Sequence, residues 1–267
     1  MTQRLRSYII CGTPRSGSTL LCEMLSATGL AGRPNSYFRE QDIARWADQW
    51  GVVPPNGPED ADFDRSYLNA MTREGSAGTG VFGLRLMWGS VEEARRRLGR
   101  VYASKADVVD LFREAFGPTL FIHLSRVDKV AQAISLIRAE QSGLWHLNAD
   151  GTVLEGSATP QPVAYNAKRI ASLISELRSD EAEWKRFFAE RHIEPLRLTY
   201  ETMAADPRNS LALVLPALGR NPDAARDITI KTAKMGGDQI SRDWADRFTR
   251  ENNVQPALTS TTTANGD

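Results

Sequence analysis

The sequence predicts an α/β fold in three layers, with a mostly parallel central sheet flanked by helices. Short apolar runs of the kind that form strands buried on both faces recur along the 267 residues, at 8–10, 81–88, 119–126 and 194–200. Stretches with helical periodicity separate these runs, and this alternation favours a parallel sheet with right-handed crossovers.

The first strand is followed by the most specific pattern in the chain. The run CGTPRSGST at 11–19 contains two glycines and a proline, and helical periodicity begins at Leu20. Backbone N–H groups in such a loop and the positive end of the helix dipole favour a phosphate, so the predicted architecture is P-loop-like. The predicted phosphate-binding residues are Pro14, Arg15, Ser16, Gly17, Ser18 and Thr19.

One position separates this loop from that of nucleotide-hydrolysing enzymes. Gly12 and Gly17 have the spacing of a Walker A loop, but Ser18 stands where its lysine would be. Without that lysine, NTP hydrolysis and kinase chemistry are disfavoured.

Length and composition favour one domain over residues 1–258. With 267 residues, of which 41% are hydrophobic, the chain can bury a substantial core, and no linker divides it. The last stretch, 259–267, lacks large apolar residues and is predicted to be a disordered tail.

The charge balance disfavours a nucleic-acid-binding protein. Lysine and arginine total 33, as do aspartate and glutamate, and the basic run at 94–100 is typical of a solvated helix end. Two cysteines and three histidines at scattered spacings form no zinc or redox motif, so we expect no metal. Neither a signal peptide nor a transmembrane segment is predicted, and a cytoplasmic protein is expected.

Helices and a long loop are predicted between the first two strands. The first helix ends near Gly29, and a polar segment with aromatic residues follows at 35–40. A helix is predicted at 41–50 and a proline-containing loop at 51–63. Asp64 is the expected N-cap of the next helix.

The second strand, at 81–88, contains an arginine among apolar residues. Arg85 either pairs with a carboxylate or reaches out at the strand end, or it faces a functional site, and the sequence leaves these interpretations open. Helices are predicted after this strand at 90–98 and 104–116.

The third strand, at 119–126, shows the same pattern as the first: a buried strand ends beside the start of a helix. Arg126 lies at its carboxyl end, and Asp128 is the expected cap of a helix that runs to residue 141. In an open α/β sheet, ligands bind at the carboxyl edge of the strands, so Arg126 is a candidate ligand-binding residue.

A loop and a long helix are predicted before the fourth strand. Residues 143–162 are glycine-rich and include Trp145, which is typical of a mobile functional loop that forms a wall for a substrate. A long amphipathic helix or a kinked pair is predicted at 165–190, with an aromatic stripe in the core or at a dimer seam. After the fourth strand a helix ends near Leu218.

Five stretches together resemble one protein family. The string TPRSGSTLL resembles the 5′-phosphosulfate loop of the sulfotransferases, which bind 3′-phosphoadenylyl sulfate (PAPS). GLAGRPNSYF, FGLRLMW, FIHLSRVDKVAQAISLIRAEQSGLW and WADRF are similar to stretches of the bacterial Stf0 (trehalose 2-sulfotransferase-like) group. The resemblance spans most of the chain and implies the P-loop-like fold, PAPS as donor, 3′,5′-ADP as product and a homodimer.

The resemblance also implies nucleotide contacts beyond the loop. Arg126 and Ser135 are similar to the arginine and serine that hold the 3′-phosphate in sulfotransferases. The segment 231–248 resembles the C-terminal loop that completes the nucleotide site, which makes Lys234 and Arg242 candidate contacts.

A sulfuryl transfer to an alcohol needs a base for the acceptor's proton. In the trehalose enzyme we expect a glutamate within the stretch that corresponds to RPNSYF, but Ser36 stands at that place. Glu40 is therefore the first candidate base and His123 the second. The alternatives are that Glu40 favours the dipole of the helix it starts and that His123 belongs to the core.

The predicted activity is transfer of a sulfuryl group from PAPS to a hydroxyl of a carbohydrate or glycolipid, in line and without a metal. Trehalose is an alternative acceptor. The expected acceptor contacts are Ser36, Tyr37, Trp88 and Trp145, and the expected catalytic cations are Arg15 and Arg85. Two other classes stay open: an ATP-dependent sugar or nucleotide kinase that lacks the Walker lysine, and a non-catalytic nucleotide-binding module.

Overall fold

The computed structural model describes residues 7–57, 59–147, 152–156, 159, 161–226, 228–229 and 238–254. The strands are β1 (Ser7–Gly12), β2 (Phe82–Met87), β3 (Thr119–Ser125), β4 (Leu144–Leu147), β5 (Val153–Gly156) and β6 (Leu196–Thr199). The helices are α1 (Ser18–Ala27), α2 (Glu40–Gln49), α3 (Ala61–Ser76), α4 (Val91–Val101), α5 (Val108–Phe116), α6 (Lys129–Ser142), α7 (Ala167–Glu190), α8 (Tyr200–Ala205), α9 (Pro207–Ala217) and α10 (Gln239–Val254).

The chain divides into two compact units. The first contains Met1–Val127 and Leu177–Lys231, and the second contains Asp128–Glu176 and Thr232–Asp267. The extent of a single domain over 1–258 stays a prediction. Lys234 and the predicted tail at 259–267 lie outside the described residues.

A parallel sheet of four strands organises the first unit. The strand order is β2-β1-β3-β6, and each neighbouring pair is parallel. Gly12 at the end of β1 lies opposite Met87 and Leu124, so the carboxyl ends of three strands meet at one edge. The predicted α/β fold with a parallel central sheet is confirmed, because all four predicted strands belong to this sheet.

Helices cover both faces of the sheet and give the first unit three layers. Alternate residues of β1 point to opposite faces, as the pleat requires, so Ile9 and Tyr8 belong to different apolar clusters. The cluster around Ile9 is completed by α2, α3, α4, α5 and residues 184–188 of α7. The cluster around Tyr8 is completed by α1, α8 and α9.

The aromatic stripe of α7 lies in the core of the first unit. Trp184 is 1% exposed, and its indole Nε1 donates a hydrogen bond of 2.9 Å to the carbonyl oxygen of Gly12. This bond joins the helix to the last residue of the central strand. Of the two predicted locations for the stripe, the core is the one observed.

The predictions for Asp64 and for the basic run at 94–100 were wrong in part. The cap of α3 is Asp60, whose carboxylate accepts hydrogen bonds from the backbone N–H groups of Asp62 and Phe63. Asp64 lies one turn further on, is 2% exposed and binds Arg97 and Arg100 of α4. Two arginines of the basic run therefore compensate a buried carboxylate, which a periodicity argument cannot detect.

The second unit contains a hairpin where a loop was predicted. Strands β4 and β5 pair in antiparallel fashion with a bulged register, within the stretch 143–162 that was expected to have no secondary structure. Asp128 caps α6 as predicted, through its carboxylate and the backbone N–H of Ala131. Among the described helices, none combines the length and the apolar character that crossing a membrane requires.

Candidate functional site

The loop after β1 has the backbone geometry of an anion site. Arg15 (φ 62°) and Gly17 (φ 88°) are both left-handed, and Gly17 is the N-cap of α1. A left-handed arginine is uncommon, and such residues cluster at ligand sites. Turns of this kind bring successive backbone N–H groups together, and the N-terminus of a helix adds positive potential.

Ser16 is the residue of this loop that indicates a ligand. Its side chain is fully buried, and no hydrogen-bond partner of its Oγ is found within the described residues. A Cβ on Gly12 would lie 3.1 Å from this oxygen, so the glycine keeps the space around it open. A buried hydroxyl without a partner costs about 1–3 kcal/mol. An anionic acceptor would remove that cost, and the residues of the loop fit such a group.

Arg126, a predicted ligand-binding residue, lies beside this loop. Its Nη1 donates a hydrogen bond of 3.2 Å to the carbonyl oxygen of Arg15, and its Cζ lies 4.4 Å from the ring centroid of Tyr200. Tyr200 also closes the other side of the loop, because a Cβ on Gly17 would lie only 2.7 Å from its Cδ2. Gly17 and Arg126 thus lie against the same aromatic ring, and Arg126 also binds the backbone of Arg15.

Sequence reasoning missed Tyr200 and its neighbour Glu201. Both carboxylate oxygens of Glu201 accept hydrogen bonds of 3.1 Å from the backbone N–H of Val127, which fixes the chain directly after Arg126. Tyr200 follows the carboxyl end of β6. The edge rule that selected Arg126 would have selected this position too.

Arg85 joins the loop to the polar segment that follows α1. Its Nη1 donates to Thr19 Oγ1 at 2.6 Å, and its Nε donates to Ser36 Oγ at 2.7 Å. A longer contact of 3.5 Å reaches Asn35 Oδ1. These partners are two hydroxyls and an amide, so the interpretation that Arg85 pairs with a carboxylate finds no support in them.

Asn35 fixes this segment to the sheet. It forms an isolated parallel bridge with Leu84, and its carbonyl oxygen accepts a hydrogen bond of 3.0 Å from the backbone N–H of Arg85. The positive charge of Arg85 also acts on Cys22: burial raises the pKa of this thiol to about 11, and the guanidinium opposes the rise.

The two candidate bases have different surroundings. Glu40 is the first residue of α2 and is exposed, with its Oε1 3.9 Å from Nη2 of Arg96. His123 lies on β3, is 4% exposed, and has its ring centroid 5.4 Å from that of Phe188. The catalytic role of each stays a prediction.

Three of the expected acceptor contacts, Ser36, Tyr37 and Trp88, lie in the first unit and have different neighbours. Tyr37 is 4% exposed, packs its ring against Trp46 and Trp50, and donates its hydroxyl to the carbonyl oxygen of Arg33 at 2.5 Å. Trp88 is partly buried against Trp184, with ring centroids 5.1 Å apart. Ser36, in contrast, accepts a hydrogen bond from Arg85.

Three predicted residues belong to the second unit. Trp145 lies on β4, Ser135 on α6 and Arg242 on α10, where the guanidinium donates a hydrogen bond of 3.0 Å to Gln239 Oε1. Over the described ranges, no group of three or more histidine, cysteine, aspartate or glutamate side chains is arranged to hold a metal ion.

Two solved structures are similar to this chain at low identity. The sulfotransferase domain of the Synechococcus PCC 7002 olefin synthase is 15% identical, with a TM-score of 0.44 over 99% of this chain and 91% of that chain. A sulfotransferase from Alicyclobacillus acidocaldarius is 12% identical, with a TM-score of 0.44 over 98% of each chain.

Sequence comparison gives longer and closer matches. Trehalose 2-sulfotransferases from Mycobacterium tuberculosis and Mycolicibacterium smegmatis are each 30% identical to this chain, over 94% of its length and 97% of theirs. The model of the Stf0 sulphotransferase family matches residues 7–251, which include every strand and helix of the fold except the last turn of α10. The chain belongs to the Stf0 sulfotransferase family.

Proposed function

We propose that this protein transfers a sulfuryl group from PAPS to a hydroxyl of a carbohydrate or glycolipid and releases 3′,5′-ADP. The observation that best supports a donor site at this loop is the buried Ser16 hydroxyl, which lies in a loop that ends at a helix N-terminus. The family membership and the names of the two relatives support the sulfuryl group and the carbohydrate acceptor.

The transfer exchanges one bond of sulfur for another. The bond between sulfur and the bridging oxygen of PAPS breaks, and its electron pair stays on the 5′-phosphate of 3′,5′-ADP. The acceptor oxygen bonds to sulfur from the opposite side and gives its proton to a base. Because the two reacting oxygens must be aligned, most of the work of the protein is positioning and charge stabilisation.

In this proposal the residues 14–19 hold the 5′-phosphosulfate, and Arg15 neutralises charge on the bridging and leaving oxygens. Arg126, which is buried and held between Arg15 and Tyr200, contributes to the 3′-phosphate site. Ser135, Lys234 and Arg242 stay predicted nucleotide contacts on the resemblance alone.

Glu40 is the first candidate for the base, because it is an exposed carboxylate four positions after Ser36 and belongs to the element that this segment leads into. His123 is the second candidate. Single-turnover transfer by Glu40→Gln and His123→Asn decides between them, provided that both variants still bind 3′,5′-ADP. Near wild-type turnover in both variants would eliminate both residues.

The acceptor is proposed only as a class. Trehalose is the acceptor named for the two relatives, but Ser36 stands where we expect their glutamate, so another sugar or a glycolipid is equally open. A homodimer and a cytoplasmic location are further proposals, which light scattering and cell fractionation test. A screen of trehalose, other sugars and glycolipids with labelled PAPS identifies the acceptor.

The central test is calorimetric titration with 3′,5′-ADP and with ADP. The proposal requires that 3′,5′-ADP bind more tightly, because the 3′-phosphate meets Arg126. Equal binding of the two nucleotides, or no binding of either, would contradict it. Turnover of labelled PAPS then separates the enzyme from a non-catalytic nucleotide-binding module.

A further inference from the structure

Arg85 places a positive charge beside the N-terminus of α1, where the helix dipole already gives positive potential. Its guanidinium contacts Thr19, the second residue of α1, and cations are disfavoured at a helix N-terminus. The side chain is half-buried, and its hydrogen-bond partners on Thr19, Ser36 and Asn35 are neutral. Such an arrangement is costly unless an anion occupies the space nearby.

Ser36 adds a hydroxyl proton to this positive region. The side chain is 7% exposed, and its oxygen accepts the hydrogen bond from Arg85 Nε. Because that bond uses a lone pair of the oxygen, the hydroxyl proton is left to donate, and no acceptor for it is found in the described part of the chain. The pair therefore presents both a cation and a polarised O–H donor.

The position of the pair identifies the part of the ligand that it meets. Arg85 touches the last hydroxyl of the donor loop on one side and the segment 35–36 on the other. That segment cannot shift easily, because its backbone is bridged to β2. If the loop holds the donor and Ser36 faces the acceptor, as the proposed function has it, the group in transit lies between them, and its oxygens carry negative charge throughout the transfer.

We propose that Arg85 and Ser36 bind the sulfuryl group itself during its transfer, rather than either phosphate of the nucleotide. This inference rests on the proposed function. Arg85 stabilises the charge on the sulfuryl oxygens, and Ser36 donates a hydrogen bond to one of them. No proton is transferred by either residue, and the acceptor's proton still goes to a separate base.

The test exploits the fact that PAPS carries the sulfuryl group and 3′,5′-ADP does not. Arg85→Gln should lower single-turnover transfer on the order of 10²–10³, as the loss of one oxyanion donor does, while the affinity for 3′,5′-ADP stays within about threefold. Ser36→Ala should lower transfer by about tenfold, as the loss of one hydrogen bond to a charged group does. Arg33→Gln is the matched control, since it removes an exposed arginine from the same segment.

The outcomes separate this inference from the proposed function. Loss of 3′,5′-ADP affinity in Arg85→Gln, with a melting temperature like that of the wild type, would show that Arg85 holds a phosphate and would overturn the inference. Unchanged transfer in both variants would also overturn it. If Arg85→Gln does not fold, Ser36→Ala decides, because its full activity contradicts the inference. A wild-type protein that fails to bind 3′,5′-ADP instead contradicts the proposed function.

Discussion

Gly17 shows how one residue meets two independent demands at the donor loop. Its φ of 88° is unfavourable for any residue with a Cβ, and the space that a Cβ would occupy is filled by Tyr200 and Met203. Glycine therefore permits both the turn into α1 and the close contact of the loop with the ring of Tyr200, against which Arg126 also packs. Substitution at this position should affect stability and nucleotide binding together.

Gly17→Ala should lower the free energy of unfolding by more than the replacement of a left-handed glycine ordinarily does. Gly29 is the control, because its φ is also positive (65°) but no atom lies within 4 Å of its virtual Cβ. We expect Gly29→Ala to lower the free energy of unfolding by about 1 kcal/mol and Gly17→Ala by roughly 2–4 kcal/mol. Urea denaturation measures both, and equal losses would show that the Tyr200 contact relaxes without cost.

Substitution of Arg15 and of Arg126 should affect turnover and nucleotide binding in different ways. Arg15→Ala removes charge stabilisation in the transition state, so turnover should fall on the order of 10²–10³ while binding of 3′,5′-ADP changes less. Arg126→Ala removes a charge-assisted bond to the 3′-phosphate, so the affinity for 3′,5′-ADP should fall by roughly 1.5–3 kcal/mol. Calorimetry and single-turnover assays separate the effects. Normal nucleotide binding by Arg126→Ala would show that the second phosphate lies elsewhere.

At the scale of elements, α3 and α4 are joined by a charge cluster that the sequence does not reveal. Asp64 is buried between them, and the side chains of Arg97 and Arg100 that bind it are 15% and 16% exposed. Arg97 also donates to Glu93 at 2.5 Å. Among the described residues, removing the carboxylate would leave the two partly buried arginines with Glu93 as their remaining anionic partner.

Asp64→Asn should therefore destabilise the protein by about 2–4 kcal/mol, near the lower end of the cost of breaking a buried pair, because the arginines keep some access to water. Asp110→Asn is the control: the same chemical change at an exposed pair with Arg113 should cost less than about 1 kcal/mol. The difference in urea midpoints checks the prediction. Similar midpoints would mean that Asp64 contributes no more than a surface ion pair.

Strand β1 was predictable because it is buried on both faces, so its sequence contains a continuous apolar run. The hairpin of β4 and β5 was not, because its glycine-rich composition is also that of a loop. Helix α8 spans only six residues, too few for a periodicity to be visible. Composition and period therefore identified the strands of the central sheet but missed the hairpin and the short helix α8.

The backbone geometry of the loop after β1 was predictable because its residues are contiguous and form one motif. The contacts of Tyr200 with Gly17 and Arg126 and of Arg85 with Ser36 were not, because each joins residues far apart in the chain. The edge rule for parallel sheets is the one long-range argument used on the sequence, and it selected Arg126, which contacts the backbone of the loop.

At the scale of the whole molecule, positive and negative residues are equal in number, but they are not paired everywhere on the fold. Lysine and arginine equal aspartate and glutamate at 33 each, and surface arginines such as Arg95 and Arg113 pair with acids of their own helix. At the loop after β1, in contrast, Arg85 donates hydrogen bonds to the neutral side chains of Thr19, Ser36 and Asn35. The guanidinium of Arg85 and the N-terminus of α1 therefore place positive potential at the same point, which favours an anionic ligand there.

Binding of that nucleotide should stabilise the folded chain. At a concentration of 100 times its Kd, 3′,5′-ADP should add about 2.7 kcal/mol, which for a protein of this size corresponds to a rise in Tm of roughly 5–10 °C. ADP should give a smaller rise because it lacks the 3′-phosphate. Thermal melting with each nucleotide, with and without EDTA, makes the comparison.

The same melting series also tests the kinase alternative. An ATP-dependent kinase would be stabilised most by ATP with magnesium, and EDTA would abolish that effect, because the metal neutralises the phosphates that a Walker lysine would otherwise help to hold. In this chain, Ser18 stands in place of that lysine and the loop borders Arg126. We therefore expect the rise in Tm with 3′,5′-ADP to survive EDTA. A rise that depends on magnesium and is larger with ATP would instead assign the loop to phosphoryl transfer.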